Sequence, residues 1–226
     1  RMEKVIHDQL TGTSAVTTLR NSIFESVLLG TGIVKGPFTH TKTVHKWVRS
    51  GEEKEYQPYY KDIPKVETVS CWDLYPDPMA TNMEDCDYVI QRHKMTRTQV
   101  RNLMDMPMFN PEAIDEVLAG GGNYSDKYYE SVIRDDHHLD RSASERFEVL
   151  EYWGCVDSYF MEEIGMEAPE DNLSQVQVNV WVCGNQILRA VMNPFTPMRI
   201  PYQMFPYEIS PYQIWGIGVP ENMEDA

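Results

Sequence analysis

The stretch "RDDHHLDR" places Asp135, Asp136, His137, His138 and Asp140 in one short run, and imidazoles beside carboxylates are the donors a divalent cation takes. With a metal bound, such a cluster would serve a metal-dependent hydrolase or nuclease. The spacing works against it. His137 and His138 are adjacent and point to different sides of a helix or strand, whereas sites built on helices space their ligands three or four residues apart. A solvated charged loop is the plainer reading. Two glycine motifs, "GTG" at Gly30 to Gly32 and "GIG" at Gly216 to Gly218, invite phosphate chemistry. Neither has the spacing and Lys-Ser/Thr of a P-loop, and neither has the third glycine of the dinucleotide fingerprint. They are read instead as points where the backbone turns or approaches a neighbour closely. The sequence holds no Gly-x-Ser-x-Gly elbow and no His-Glu-x-x-His helix. It therefore assigns no catalytic, cofactor-binding or metal residue, and the chain reads as a non-enzyme without a cofactor.

Charge narrows the function classes further. The 226 residues carry a net charge of −15, unevenly placed: residues 1–66 hold 10 Lys and Arg against 7 Asp and Glu, and residues 67–226 hold 10 against 28. An acidic body argues against a domain that grips DNA phosphates, although DNA could pass nearby without sticking. Four cysteines lie far apart with no Cys-x-x-Cys pair, which predicts reduced thiols rather than a disulfide framework or a zinc site. No apolar run approaches the ~20 residues of a bilayer-spanning helix. A 42% apolar share with 11% aromatics suffices for a buried core.

These residues must be positioned by elements whose periods can be read. Met2, Val5, Ile6 and Leu10 mark one helical stripe, and Leu19, Ile23, Phe24, Val27 and Leu28 a second, predicting two helices packed together over 1–30. "LLGTGIVKGPFTHTKTVHKWV" predicts strand, turn, strand, with glycines as punctuation. "VETVSCWDLYPDP" and "CDYVIQRHKM" read as strands around a loop. Thr96 with Gln99 forms a capping-box signature, and Asn110 with Pro111 starts a better-marked helix ending at Gly120 to Gly122. A charged helix is expected within "KYYESVIRDDHHLDRSAS". "RFEVLEYWGCVDSYF" reads as an aromatic-rich strand. "SQVQVNVWVCGNQILRAVMNP" reads as a hairpin turning at Gly184 and Asn185, with Val176, Val178, Val180 and Val182 on one face. In "NPFTPMRIPYQMFPYEISPYQIWGIG" the recurrent prolines predict an irregular, extended connector. Its aromatics either clamp it to its own domain or pack on another subunit. The fold class is α+β, mainly antiparallel strands with packed helices.

The order of "LLGTGIVKGPF", "WDLYPDPMATNMEDCDYVIQRHKMTRTQV", "EYWGCVD" and the closing "PY…PY…GIGVPENMED" resembles the portal, or head-to-tail connecting, protein of tailed bacteriophages, in the class carried by short-tailed phages. Asp77 and Pro78, His93, Met95 and Thr96 stand at the matching points of the second piece. The resemblance implies a helical segment over 1–30 and a wing-like α+β domain over 31–226. It also implies a homo-oligomeric ring, a dodecamer, at a capsid vertex of the virion, made in the host cytoplasm. Capsid, terminase and tail or head-completion proteins would be its partners. Double-stranded DNA would pass through without sequence-specific binding, and no membrane is involved. "VPENMEDA" has the marks of an opening helix, with Pro220 suited to a first turn and Glu221, Glu224 and Asp225 to the positive end of the dipole. A long helix is expected to follow, so the chain reads as part of a longer subunit with stem, clip and crown elsewhere. The alternatives are the metal-dependent hydrolase or nuclease on the Asp135–Asp140 cluster, and a non-portal phage module that binds one protein through the aromatic connector.

Overall fold

The computed structural model describes residues 2–50, 53–136, 145–167, 175–195 and 199–224. Along the chain run α1 (Met2–Gly12), α2 (Ala15–Leu29), β1 (Thr31–Val44), β2 (Trp47–Ser50), β3 (Glu53–Tyr56), β4 (Tyr59–Val69), β5 (Leu74–Pro76) and β6 (Tyr88–Thr96). Then follow α3 (Arg97–Asn102), α4 (Pro111–Gly120), α5 (Tyr128–Asp136), β7 (Arg146–Asp157), β8 (Gln175–Cys183), β9 (Gln186–Met192), β10 (Tyr202–Pro206) and α6 (Val219–Glu224). Every strand pairing is antiparallel, so the architecture is the expected α+β. The chain divides into two compact units, residues 1–72 with 81–83 and 201–226, and residues 73–80 with 84–200. α1 and α2 thus belong to the same unit as β1.

In the first unit the strand order is β10-β1-β4. Two expectations are corrected there. The glycine-punctuated stretch does not turn at its glycines: residues 31–44 form the single strand β1, and β2 begins only at Trp47. Gly36 and Pro37 lie between register partners Lys35↔Glu67 and Phe38↔Lys65, so two residues face one and the ladder bulges instead of turning. Gly36 takes φ 117°, and Pro37 has no N–H to offer the ladder, which suits both residues to a bulge. The proline-rich connector is also partly regular, because Pro201 precedes β10 and Pro206 ends it, leaving Tyr202 and Met204 free to pair with β1 and bury. This edge position is where strand prolines are tolerated.

A third expectation inverts. α2 does not bury its apolar stripe; it buries Ala15, Ser22 and Ser26, while Val16, Leu19, Ile23, Phe24, Val27 and Leu28 are exposed. Close packing explains the choice. A Cβ on Gly32 would lie 2.0 Å from the Ser22 carbonyl oxygen, so helix and strand touch backbone to backbone and only small residues fit between them. Ser26 Oγ donates to the Phe205 carbonyl at 2.8 Å, which satisfies a buried hydroxyl. α1 exposes Met2 and Ile6.

In the second unit five strands lie in the order β5-β6-β7-β8-β9. α3 begins at the expected capping box, in which Gln99 N donates to Thr96 Oγ1 and Thr96 N donates to Gln99 Oε1. α4 begins at Asn110, whose Oδ1 accepts from the N–H groups of Glu112 and Ala113. Val100, Leu103, Phe109, Ala113, Ile114 and Leu118 cover one sheet face, against Phe147, Val149, Cys183 and Leu188. Side chains such as Ile114, Phe147 and Leu188, fully buried, each contribute on the order of 2 kcal/mol. The β8–β9 hairpin turns at Gly184, as expected, with Val178 and Val180 buried on the predicted face. The opposite face of β8 is covered too, because Asn179 and Cys183 are also buried.

Candidate interaction surfaces

The "GTG" and "GIG" motifs meet each other rather than a phosphate. A Cβ on Gly30 would lie 2.1 Å from Gly216 O, and one on Gly218 would lie 2.9 Å from both Gly30 N and Leu28 O. Tyr207 N donates to Gly30 O at 2.8 Å and Gly216 N donates to Thr31 Oγ1 at 2.8 Å. The glycines admit close backbone approach, and their N–H groups serve the fold.

Sequence reading missed two buried polar networks, one on each face of β6. Period-two alternation sends Arg92 to one face and His93 to the other. Arg92, its side chain 2% exposed, reaches Asp73 Oδ1 from Nε at 2.8 Å and from Nη2 at 2.6 Å. It also donates to Tyr129 OH at 2.9 Å and Tyr124 OH at 3.3 Å. Burial alone would lower the pKa of this guanidinium; the hydrogen bonds and charge of Asp73 outweigh it and raise the pKa further. Burial, then the hydrogen bond to Glu130, raises the Tyr124 pKa, keeping the phenol protonated as a donor. Lys94 Nζ stands 4.4 Å from the Tyr124 ring centroid and donates to Glu130 Oε1 at 3.0 Å.

On the other face Glu151 Oε2 lies 2.7 Å from His93 Nε2, and Oε1 accepts from Trp153 Nε1 at 2.7 Å and Asn179 Nδ2 at 3.4 Å. A histidine on a buried carboxylate could in principle move protons. Here the His93 ring stacks on Trp181 at 4.9 Å between centroids, which covers one of its faces. The second carboxylate oxygen is occupied by Trp153 and Asn179. The arrangement orients a sheet. A signal for it existed in the sequence: Arg92 and Glu151 are charges inside otherwise buried strand patterns, and such charges are paired.

The points singled out on the matching piece fall into local structural roles. Asp77 Oδ1 accepts from Met79 N at 2.9 Å and closes the loop, His93 joins the Glu151 network, Met95 packs against the helix-covered core and Thr96 caps α3. Of the Asp135–Asp140 cluster that carries the alternative hydrolase reading, Asp135 and Asp136 close α5, and His137, His138 and Asp140 lie outside the described residues. Among the described residues there is no group of three or more His, Cys, Asp or Glu that could hold a metal ion, and no helix long and apolar enough to cross a membrane. The four thiols are free, as expected.

What the first unit offers is exposed surface. β1 and β4 run on past the bulge as a two-stranded ribbon, with β2 and β3 as a further hairpin. Trp47, Tyr56, Tyr59 and Tyr60 are exposed along it, Tyr60 at 74%. A groove of ≈ 480 Å³ lies beside α2 and α6, lined by Leu28, Leu29, Trp72, Trp215 and Pro220 with Cys71, Glu221 and Glu224. From the connector, Tyr207, Ile209 and Tyr212 are exposed while Tyr202, Met204 and Ile214 are buried, so the clamp to its own unit uses only part of the aromatic run.

The described residues thus form an antiparallel α+β chain with interlocked glycines, buried ion pairs between strands, and exposed aromatic and apolar faces. The chain belongs to a phage portal family: the family model described as Phage SU10 portal protein matches residues 7–226. Among curated proteins, none matches the chain.

Proposed function

We propose that this chain is a structural subunit of a phage portal ring, a dodecamer at one capsid vertex of the virion, and forms its outer, wing-like part. Double-stranded DNA passes through the ring during packaging and ejection, and capsid, terminase and tail or head-completion proteins attach around it. The subunit is made in the host cytoplasm. The observation that carries this reading is the family match over residues 7–226. The net charge of −15 fits a ring whose DNA passes without being held, and on an outer part it serves solubility. Function in this role lies in geometry: identical wedges meet through heterologous contacts that close. No side chain performs chemistry, and nucleotide hydrolysis belongs to the separate terminase motor.

The test is to express the complete gene product and follow its mass by light scattering and its shape by electron microscopy. Closed rings support the proposal; a monomer at every concentration sinks it. Metal analysis of the same sample, with a His137→Ala, His138→Ala variant, addresses the hydrolase alternative. A stoichiometric metal lost in the variant, together with metal-dependent cleavage of DNA, would replace the portal reading.

A further inference from the structure

The ribbon of the first unit has a composition and an exposure that its own fold does not account for. Beyond the bulge, register pairs Phe38↔Lys65, His40↔Ile63, Lys42↔Lys61 and Val44↔Tyr59. The pleat therefore puts Phe38, His40, Lys42 and Val44 on one face with Tyr59, Lys61, Ile63 and Lys65. This face mixes cations with apolar and aromatic groups. Lys42 and Lys61 are direct cross-strand partners, and like charges placed opposite each other destabilise a pair of strands. His40, Lys42, Tyr59, Lys61 and Lys65 are all exposed. A two-stranded hairpin is marginal in water without a third strand or a covering element. The opposite face carries Thr39, Thr41 and Thr43 with Tyr60 and Asp62, and there Thr41 Oγ1 donates to Asp62 Oδ1 at 2.7 Å. Lys65 Nζ pairs with Glu67 Oε1 at 2.7 Å in an exposed ion pair, so the repulsion on this face is that of Lys42 against Lys61, kept in a protein that is otherwise strongly acidic.

The charge distribution says what covers it. Residues 38–65 carry six Lys and Arg against four Asp and Glu, whereas residues 73–80 and 84–200, the second unit, carry 10 against 23. We infer that the basic face of the β1–β4 ribbon (Lys42, Lys61 and Lys65 with Phe38 and Tyr59) docks on the acidic second unit of a neighbouring copy of this chain. The inference rests on the ring reading above and adds the surface by which the ring closes. Two different surfaces of one chain make a heterologous contact, the type that generates rings. The lysines steer and register the arm, and the interleaved aromatic and aliphatic groups supply the apolar contact. Duplex DNA is the other polyanion such a face could meet; the acidic remainder of the chain repels it.

The experiment compares the complete gene product with a Lys42→Gln, Lys61→Gln, Lys65→Gln variant and with the corresponding triple Glu variant. The Gln variant removes the Lys42–Lys61 repulsion and loses only the exposed Lys65–Glu67 pair, so its monomer is expected to melt close to wild type; the Glu variant puts Glu opposite Glu, and its assembly is compared only where circular dichroism shows it folded. Assembly is expected to weaken about tenfold or more for Gln and further for Glu, and the wild-type assembly to loosen as salt is raised. With Tyr59 replaced by a photo-crosslinking amino acid, adducts are expected within residues 84–200 of a second chain, identified by mixing isotope-labelled and unlabelled protein. Rings that form equally well in wild type and both variants, or crosslinks confined to one chain, overturn this inference and leave the ring reading standing. Duplex DNA bound by wild type at about 150 mM salt and released by the variants would assign the face to nucleic acid and overturn it too. A wild-type product that never forms rings overturns the ring reading and this inference together.

Discussion

Gly30 and Gly216 are packed so tightly that a Cβ placed on Gly30 would lie 2.1 Å from the Gly216 carbonyl oxygen, and one on Gly216 would lie 2.5 Å from Gly30 O. Gly30 also takes φ 88° as the C-cap of α2, a conformation that costs an L side chain further. Gly30→Ala is therefore expected to destabilise the first unit by about 3 kcal/mol or more, and Gly216→Ala by a similar amount. Urea titration followed by circular dichroism checks this; a loss below about 1 kcal/mol would mean that the two segments can move apart.

The meeting of the two glycine motifs shows how far the residues could be read in advance. The need for close approach was legible, because glycine lacks the Cβ that forbids it. The partner was not, since nearly the whole chain separates Gly30 from Gly216 and no local pattern encodes that pairing. The caps at Thr96 and Asn110 and the hairpin at Gly184 were legible for the opposite reason: donors, acceptors and turn residues lie within a few positions of each other. The apolar stripe of α2 misled because helical periodicity reports that a face is apolar, not what covers it. Gly32 and the small face of Ser22 and Ser26 decide which side meets the sheet. The Arg92 and Glu151 networks went unseen because their partners come from distant strands, brought together only by the register of the second unit's sheet.

Glu151 is the shared acceptor for His93, Trp153 and Asn179. Glu151→Ala leaves buried donors without an acceptor and is expected to cost about 3 kcal/mol, with Glu151→Gln milder because one oxygen remains. The readout is the melting temperature, together with the near-ultraviolet signal of Trp153 and Trp181. An unchanged melt for the Ala variant would contradict the pinning role.

Acid should weaken the second unit in part through Glu130. Burial opposes its ionisation, but hydrogen bonds from the Tyr124 hydroxyl, the Lys127 N–H and Lys94 outweigh that and hold its carboxyl below the ordinary glutamate range. A depressed folded pKa means that the stabilisation is complete above the unfolded value and is lost as pH falls through the folded one. The stability gap between wild type and Glu130→Gln is expected at about pH 6 and should shrink steadily below about pH 4.5. A gap independent of pH would count against the ionised hydrogen-bonded carboxylate.

Burial pushes the Cys86 thiol up to about 11; a hydrogen bond with the Asp77 backbone opposes the rise, and the negative charges of Asp77, Asp85 and Asp87 add to it. At about pH 8 only on the order of 0.1% of it is thiolate, so alkylation of folded protein should spare Cys86 and unfolding in denaturant should expose it. Peptide mapping after iodoacetamide treatment reads this directly. Rapid labelling of Cys86 in the native state would show that the loop carrying it opens easily.

The cap of α4 gives a smaller, local prediction. Asn110 Oδ1 accepts from two helix N–H groups, and Asn110 N donates to Leu188 O at 2.8 Å. Asn110→Ala keeps the backbone bond and loses the side-chain cap, for an expected cost of about 1 kcal/mol, whereas Asn110→Asp should cost less. Equal losses for the two variants would indicate that the side-chain cap contributes little.

Electron microscopy of the purified complete gene product tests the central claim most directly. The account predicts closed rings with one rotational symmetry, in which each copy presents an exposed ribbon to its neighbour. Discrete monomers at every concentration tried, in protein shown by circular dichroism to be folded, would contradict it.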